Sequence, residues 1–239
     1  MSDRHRLRLA SARALSPSVR SLVFEVTGGA LDYRPGASLQ LTVQTASGMA
    51  MRRPYSIASA PGAAGPSHIE LAVTRVEGGP VSTALSELPI GAWVEAGDPQ
   101  TGWLCGPIDE EPQRTLLIAT GSGLAPLRAI VQDRLTKPQG PALELLFGCR
   151  TPDDILWKDE LAQWSGASAG RVTSTVTLSR PPERWTGRRG HVQAHLRECV
   201  ERLRPELALV CGLSAMADEV ERMLYDLGVG EVRTEAFDR

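Results

Sequence analysis

The sequence has few cysteines, and they lie far apart. They are Cys105, Cys149, Cys199 and Cys211, and no two of them are closely spaced. Zinc sites and plant-type iron–sulfur clusters need thiolates at short spacing, so the pattern excludes a local framework of either kind. A disulfide scaffold is not expected in a chain of 239 residues either. We therefore expect a protein that carries no metal of its own.

Long apolar runs and a strong net charge are also missing. The N-terminal residues lack the apolar stretch of a signal peptide, and no later segment has the length of a membrane span. The formal net charge of −2 gives no general reason to expect nucleic acid or an anionic membrane as partner. With 42% hydrophobic residues and no low-complexity run, the chain is expected to be a globular, cytoplasmic protein.

Short strands separated by Gly, Pro and Ser fill the first part of the chain. The clearest are 22–26, 39–43 and 69–73, and the last two alternate apolar with polar residues. Alternation of this kind is typical of half-buried antiparallel strands. Turn residues between the strands favour a small antiparallel β-barrel, which we predict over residues 1–108.

The pattern changes after the polar stretch 109–112, which suits a linker. Apolar strands then alternate with helical patterns, and no internal repeat is visible. The predicted strands are 116–119, 143–147, 172–176, 207–210 and 231–234, and the helices lie near 126–135, 155–164, 190–203 and 215–227. This alternation predicts an α/β domain at 114–239, an open parallel sheet with helices on both faces.

A first motif, Arg53-Pro54-Tyr55-Ser56, lies in the strand-rich half. On a strand, Arg53 and Tyr55 face the same side, while Ser56 faces the other side or lies at its edge. A guanidinium binds phosphate in a bidentate fork, and a tyrosine covers one face of a flat ring. The set therefore suits capture of a flavin dinucleotide. The alternative is a surface arginine beside a barrel tyrosine.

A glycine-rich turn follows about 25 residues later, where a short helix begins in the pattern. It runs Gly78-Gly79-Pro80-Val81-Ser82-Thr83. A turn that opens a helix presents free N–H groups to an anion, and Ser82 and Thr83 add hydroxyls. Alone it is a helix start with a good N-cap; placed after the arginine strand, it becomes a second phosphate-binding element.

A second glycine-rich turn, Thr120-Gly121-Ser122-Gly123-Leu124-Ala125-Pro126, follows the first apolar strand of the second half. Its glycines allow a nucleotide to approach the backbone, and proline suits a first helical turn. The sixth position is proline, so this is not the Gly-x-Gly-x-x-Gly fingerprint of dinucleotide-binding folds.

The ordered set of motifs resembles the ferredoxin–NADP reductase superfamily over nearly the whole chain. Further matches are the turn 33–36, the segment 210–213 with Met216, and the C-terminal 235–237. The resemblance implies a two-domain enzyme: an antiparallel barrel that binds FAD, followed by an α/β domain that binds NADPH or NADH.

The resemblance also implies roles for individual residues. The FAD-binding set is Arg53, Pro54, Tyr55, Ser56, Gly79, Val81, Ser82, Thr83 and Phe237. The nicotinamide-nucleotide set is Thr120, Gly121, Ser122, Gly123, Cys211 and Gly212. Cys211 would lie near the reacting nicotinamide carbon. Glu235 and Ser56 would hydrogen-bond around flavin N5 and relay a proton, and Phe237 would cover the flavin ring until nicotinamide displaces it. The plain alternatives are a small buried cysteine, a solvated terminal glutamate and a core phenylalanine.

Basic residues near the third α/β strand favour NADPH over NADH. Ser179-Arg180 ends that strand, near the expected adenosine site, and resembles the Ser-Arg pair of NADPH-dependent relatives. Arg188 and Arg189 are expected in a nearby loop that adds positive charge, and Arg150 follows the second strand. The alternative is an ordinary basic loop.

The expected reaction is hydride transfer from NADPH to FAD, followed by single-electron transfer to a separate ferredoxin or flavodoxin that serves a cytochrome P450 or an oxygenase. A stripe of Arg4, Arg6 and Arg8, with Arg13 or Arg20, is a candidate docking surface for such an acidic partner. The alternative for the stripe is a barrel edge blunted by charge. Two other functions stay open: a flavin reductase that releases reduced flavin, and a non-catalytic electron-transfer subunit.

Overall fold

The first half of the protein is a six-stranded antiparallel sheet. The computed structural model describes residues 5–106, 112–137 and 139–237. The strands of this sheet are β1 (His5–Ala14), β2 (Val19–Val26), β3 (Ser38–Gln44), β4 (Ala50–Ser56), β5 (His68–Thr74) and β6 (Trp93–Ala96). Their spatial order is β4-β3-β6-β1-β2-β5. The two ends of that order meet where Ile57, just after β4, bridges Leu71 of β5. The sheet thus curls into the predicted barrel.

The barrel interior is built from the inward residues of the alternating strands. In β3, residues Leu39, Leu41 and Val43 are buried and the residues between them are not. The short helix α1 (Pro80–Ser86) adds Val81 and Leu85 to the same core. Period-two alternation in the sequence is enough to place these side chains, because successive strand residues face opposite sides.

The second half is a six-stranded parallel sheet with helices on both faces, as predicted. Its strands are β7 (Arg114–Thr120), β8 (Ala142–Cys149), β9 (Val172–Leu178), β10 (Arg188–Arg189), β11 (Leu207–Leu213) and β12 (Glu231–Phe237). Its helices are α2 (Leu124–Leu135), α3 (Lys158–Ala167), α4 (Leu196–Leu203) and α5 (Ser214–Asp226). The strand order is β10-β9-β8-β7-β11-β12. The order reverses between β7 and β11, and ligands of open α/β sheets bind at such a point, beyond the carboxyl ends of the strands.

One hydrophobic core joins the two halves. Helices α2 and α3 pack on one face of the parallel sheet, and α4 and α5 pack on the other. The core under α2 and α3 also contains the barrel residues Val19, Ala58 and Ala72. The barrel therefore packs against the α2–α3 side, which places the end of β4 near the carboxyl edge of the parallel sheet.

Two local predictions were wrong. Residues 190–203 do not form one helix: a 3-10 turn occupies Val192–His195 and α4 begins at Leu196. Arg188 and Arg189 are not in a loop but form β10, paired with Thr177 and Leu178 of β9. The pairing is reinforced by Thr177, whose hydroxyl donates to the Gly190 carbonyl at 2.8 Å. Strand β6 was not predicted, because four residues are too short for a clear pattern.

The predicted linker falls largely outside the described residues, since 107–111 are not among them. The domain limits 1–108 and 114–239 stay a prediction. No helix in the described ranges combines the length and the apolar character needed to cross a membrane.

Candidate active site

A narrow crevice is expected at the reversal of strand order, beyond the carboxyl ends of β7 and β11, where the turn after β7 packs closely on β11. The backbone there is so close that a Cβ added to Gly123 would lie 2.2 Å from the Cys211 carbonyl oxygen. A Cβ on Gly212 would lie 2.3 Å from Thr120 Oγ1 and 2.4 Å from the Met216 methyl group. Glycine is thus required at both positions, and the predicted nicotinamide residues do come together.

Three residues predicted to act on the reacting groups also meet here. The Ser56 hydroxyl, at the end of barrel strand β4, donates to Glu235 Oε1 at 3.3 Å. Glu235 lies on β12 directly beside Cys211 of β11. On its other side, Glu235 Oε2 approaches Gly102 so closely that a Cβ there would be 2.7 Å away. The site therefore combines a serine from the barrel with a glutamate and a cysteine from the α/β domain.

Burial controls the charge state of these groups. It raises the pKa of Glu235, and the hydrogen bond from Ser56 partly opposes that rise. Burial also raises the pKa of the Cys211 thiol well above its usual value, and the nearby Glu235 carboxylate adds to the effect. Cys211 is fully buried and its thiol is neutral at physiological pH, which suits a packing contact rather than nucleophilic chemistry. Glu235 is the group of the three able to hold and release a proton.

Strand β4 presents the arginine–tyrosine pair as predicted. Arg53 and Tyr55 lie opposite Leu41 and Leu39 of β3, so both face the same side of the sheet. Arg53 is exposed, and its Nη1 donates only to the neighbouring Arg52 carbonyl among the contacts described, at 2.8 Å. Tyr55 is half-buried, and burial raises its pKa to about 12 despite the Arg53 charge. An exposed guanidinium and a neutral phenol on one face fit a dinucleotide's phosphate and flat ring.

The glycine turn before α1 has a more structural hydroxyl than the sequence indicated. Ser82 Oγ accepts from the Val76 N–H and donates to the Gly79 carbonyl, both at 3.1 Å, so it shapes the turn. Val81 is buried in the barrel core, so its N–H rather than its side chain is suited to a phosphate. The left-handed Gly78, with φ of 72°, permits the tight turn.

The residues predicted to bind the adenosine end of the nucleotide lie where β8 and β9 finish. The Arg180 N–H donates to the Arg150 carbonyl at 2.8 Å, which holds these two exposed arginines side by side with Ser179 next to them. Arg150 also pairs with Asp154 at 3.3 Å. Two guanidiniums and a hydroxyl suit a ribose 2′-phosphate.

The other two arginines of the predicted cationic surface are engaged within the protein. Arg188 forms a two-pronged ion pair with Glu198. Arg189 Nη2 donates to the carbonyls of Glu183 and Trp185 at 2.9 and 2.8 Å. Both arginines were predicted to be free to bind a nucleotide, but the structure shows their guanidinium groups bound to partners within the protein. The nucleotide contacts predicted for Arg188 and Arg189 are therefore not supported by the geometry.

Phe237 is the last residue of β12 and lies beside Leu213 of β11. It is half-buried and packs against the core shared by the two halves. Its position at the mouth of the crevice fits the predicted cover over a flavin ring, which stays a prediction.

The described arginines of the predicted docking stripe all have contacts within the protein. Arg4 lies outside the described residues, while Arg6 and Arg8 lie on one face of β1. Arg8 pairs with Glu25, and the Arg6 guanidinium covers the Trp93 ring at 4.6 Å. Of the two further candidates, Arg20 donates to the Ser86 carbonyl and Arg13 lies 3.9 Å from Glu70. These contacts weaken the case for a docking surface here.

Sequence reasoning missed a buried polar network between the two halves. It centres on Arg128 of α2 and Glu70 of β5, both nearly fully buried. A glutamate within the apolar strand His68–Thr74 is the signal that could have revealed it. A cavity of about 610 Å³ also opens on the barrel beside Arg6, Arg52 and Trp93, but none of the predicted cofactor-binding or catalytic residues lines it. Within the described residues, no group of three or more potential ligands is arranged to hold a metal ion.

Comparison with known proteins identifies the families of both halves. Residues 6–103 match the oxidoreductase FAD-binding domain family, and residues 117–222 match the oxidoreductase NAD-binding domain family. Ferredoxin–NADP reductase B of Sorangium cellulosum is 38% identical over 242 residues, covering 97% of this chain and 96% of that protein.

Solved structures share the fold. The FAD/NAD-binding domain of nitric oxide dioxygenase from Vibrio cholerae superposes with a TM-score of 0.84 at 21% identity, covering 98% of both chains. A cytochrome P450 reductase from Amycolatopsis gives 0.83 at 24% identity, covering 98% of this chain and 70% of the other. The two family domains and the full-length relative establish the enzyme class and its cofactors, FAD with NADPH or NADH. The chain belongs to the ferredoxin–NADP reductase superfamily of flavoprotein oxidoreductases.

Proposed function

We propose that this enzyme takes a hydride from NADPH onto bound FAD and passes electrons singly to a separate ferredoxin or flavodoxin. The observation that carries the proposal is the meeting of Ser56 and Glu235, at 3.3 Å, next to Cys211 and the Gly121–Gly123 turn. It joins the proposed flavin strand to the proposed nicotinamide crevice. A relative of almost the same length bears the name of a ferredoxin–NADP reductase, which supports the acceptor class.

The barrel residues would hold the flavin cofactor. Bound FAD supplies the ability to take up two electrons together and release them one at a time. Arg53 would bind the pyrophosphate with its exposed guanidinium, supported by the Val81 N–H at the turn that follows Gly79 and by the Thr83 hydroxyl. Tyr55, next to Pro54, would pack its neutral phenol ring against the flavin. Phe237 would cover the flavin ring until nicotinamide displaces it.

The α/β domain would place the nicotinamide. Gly121, where an added Cβ would meet nothing within 4 Å, leaves the backbone open to the ligand, whereas Gly123 packs directly against Cys211 of β11. Ser122 and Thr120 supply hydroxyls at the same turn. Cys211 and Gly212, at the carboxyl end of β11, would lie beside the ring, and the missing side chain at Gly212 leaves room for Thr120 and Met216 to pack there. Positioning of this kind lowers the barrier mainly by holding reacting groups in register.

Ser56 and Glu235 would manage the proton. Because burial raises the pKa of Glu235, its carboxyl binds a proton more readily than an exposed glutamate does. The Ser56 hydroxyl bridges that carboxyl and the end of strand β4. The pair would hold a proton near the flavin ring and deliver it as the charge of the ring changes.

The 2′-phosphate that distinguishes NADPH from NADH would be bound just beyond the ends of β8 and β9, by Ser179, Arg180 and Arg150. This arrangement favours NADPH. The cytoplasmic location expected from the sequence and the supply of electrons to a cytochrome P450 or an oxygenase stay predictions.

The test is the purified full-length protein, first passed over a gel-filtration column. We expect it to stay yellow with FAD, and to reduce a one-electron dye faster with NADPH than with NADH at equal concentration. It should also reduce an acidic ferredoxin, with a rate that falls as salt is raised. A protein that loses its flavin and accelerates only free-flavin reduction would be a flavin reductase instead. A yellow protein that neither nucleotide reduces would be a non-catalytic subunit, and either result overturns the proposal.

A further inference from the structure

A buried arginine crosses between the two halves of the protein. Arg128 of α2 donates through Nη1 to the Ala58 carbonyl at 2.7 Å and to Glu70 Oε2 at 2.9 Å. Ala58 and Glu70 belong to the barrel, and α2 belongs to the α/β domain. The side chains of Arg128 and Glu70 are only 7% and 8% exposed, so water contributes little to holding either charge.

The surrounding groups fix both charges in one geometry. Arg128 Nε donates to Glu160 Oε2 at 2.8 Å, and the guanidinium lies 4.6 Å from the centre of the Trp157 ring. The second oxygen of Glu70 accepts from Ser21 at 2.6 Å and from Trp157 Nε1 at 3.0 Å. A planar guanidinium that donates in two directions has very little freedom to rotate.

A glutamine one turn further along α2 makes a second contact of the same kind. Gln132 Oε1 accepts from the Ala60 N–H at 2.9 Å, and its Nε2 donates to Glu160 Oε1 at 2.9 Å. Helix α2 therefore binds the barrel segment 58–60 at two backbone groups, a carbonyl and an N–H. Two attachment points fix orientation as well as distance.

These contacts are close in sequence to both proposed cofactor sites. Ala58 is two residues beyond Ser56, and its own N–H is bonded to the Glu70 carbonyl at 2.7 Å. Helix α2 begins at Leu124, immediately after the Gly121–Gly123 turn. A rigid route of a few residues thus connects the proposed flavin side to the proposed nicotinamide side.

We propose that Arg128 is a positioning residue that sets the distance and angle between the nicotinamide and flavin rings. The inference rests on the proposed function. A buried ion pair contributes little net stability compared with well-packed apolar residues, but it can select a single arrangement. None of the contacts described for Arg128 reaches a residue proposed to hold a cofactor, and Arg128 acts through Ala58 on one side and through α2 on the other.

The test is the substitution Arg128→Lys in the FAD-loaded protein. Lysine keeps the charge but cannot make the forked contacts to Ala58, Glu70 and Glu160 together. A misplacement of about 1 Å lowers the rate of a positioned reaction by about 100-fold, so we expect single-turnover FAD reduction to fall by roughly 10- to 100-fold. The Kd for NADP⁺ should change less than about threefold, because the nucleotide's own contacts are kept.

Two readouts separate positioning from a loss of fold. The long-wavelength charge-transfer absorbance of the flavin–nicotinamide complex should weaken in Arg128→Lys, since it depends on ring overlap. Backbone hydrogen exchange at 57–60 should quicken in the same variant. Arg114→Lys is the matched control. Arg114 lies on β7, away from the network, and makes an exposed ion pair with Glu206, so this variant should leave every readout unchanged.

The outcomes are decisive in each direction. Arg128→Lys with wild-type FAD reduction and charge-transfer absorbance overturns the inference, even if its melting temperature is lower. If Arg128→Lys does not fold, Gln132→Ala decides, and it should reduce the rate and the absorbance in the same direction by a smaller factor. Wild-type protein that NADPH fails to reduce overturns the proposed function instead, while hydrogen exchange still reports whether the network fixes the segment 58–60.

Discussion

Substituting Gly123 with alanine tests whether the nicotinamide crevice depends on close backbone packing. The backbone at Gly123 has a φ of −60°, which alanine adopts freely, so any effect comes from contact rather than conformation. The new Cβ would lie 2.2 Å from the Cys211 oxygen, 2.6 Å from its carbonyl carbon and 2.9 Å from the Gly212 nitrogen. The turn and β11 would have to separate by roughly 1 Å to reach ordinary van der Waals distance.

Overpacking of this kind costs about 1–3 kcal/mol of unfolding free energy, and the displaced turn would bind nicotinamide less well. We expect urea unfolding to show that loss, and the Kd for NADP⁺ to rise at least about tenfold, which corresponds to about 1.4 kcal/mol. FAD content should not change, because the proposed flavin residues lie mainly on the barrel.

The matched control is Gly166→Ala in helix α3. No atom outside that helix's own backbone lies within 4 Å of the added Cβ, and the substitution should stabilise the protein by about 0.5–1 kcal/mol. Gly123→Ala with wild-type stability and wild-type NADP⁺ affinity would refute the reasoning, since Gly123 would then be packed less closely on β11 than the structure shows.

Two further predictions concern charge. Because burial raises the pKa of Glu235 above 4.5, the native state binds its proton more tightly than the unfolded chain, and stability falls as pH rises from the unfolded pKa through the native one. Glu235→Gln should lack this fall, so urea titrations should show the variant gaining stability relative to wild type toward neutral pH; a relative loss would contradict the raised pKa. Arg180→Ala should raise KM for NADPH by roughly tenfold while changing KM for NADH little, since a charge-assisted hydrogen bond contributes about 1.5–3 kcal/mol. Arg197→Ala, which removes an exposed arginine from α4, is its control, and equal effects on both nucleotides would exclude a 2′-phosphate contact by Arg180.

The sequence predicted the two halves of the fold because their hydrogen-bonding patterns are local and periodic. Alternation at 39–43 and a continuous apolar run at 116–119 distinguish a half-buried antiparallel strand from a central parallel strand before any contact is known. Motif residues on one strand, such as Arg53 and Tyr55, were likewise placed correctly on a common face, because strand geometry alone decides it. Short or irregular elements such as β6 and β10 carry too few residues for a period to show.

Which charged groups are free was decided only by the tertiary structure. Arg180, Arg188 and Arg189 look alike in the sequence, yet Arg188 is paired with Glu198 and Arg189 holds a loop, because β10 pairs with β9.

Ser56 and Glu235 are 179 residues apart and meet only because the barrel packs against the α2–α3 side of the sheet. Periodicity reports which side of an element is buried, whereas the partner on that side depends on strand order and on packing between domains. The sequence by itself therefore determined the fold class, the cofactor class and the order of the binding motifs. The completed site, with its Arg128–Glu70 network, exists only once the two halves are packed together.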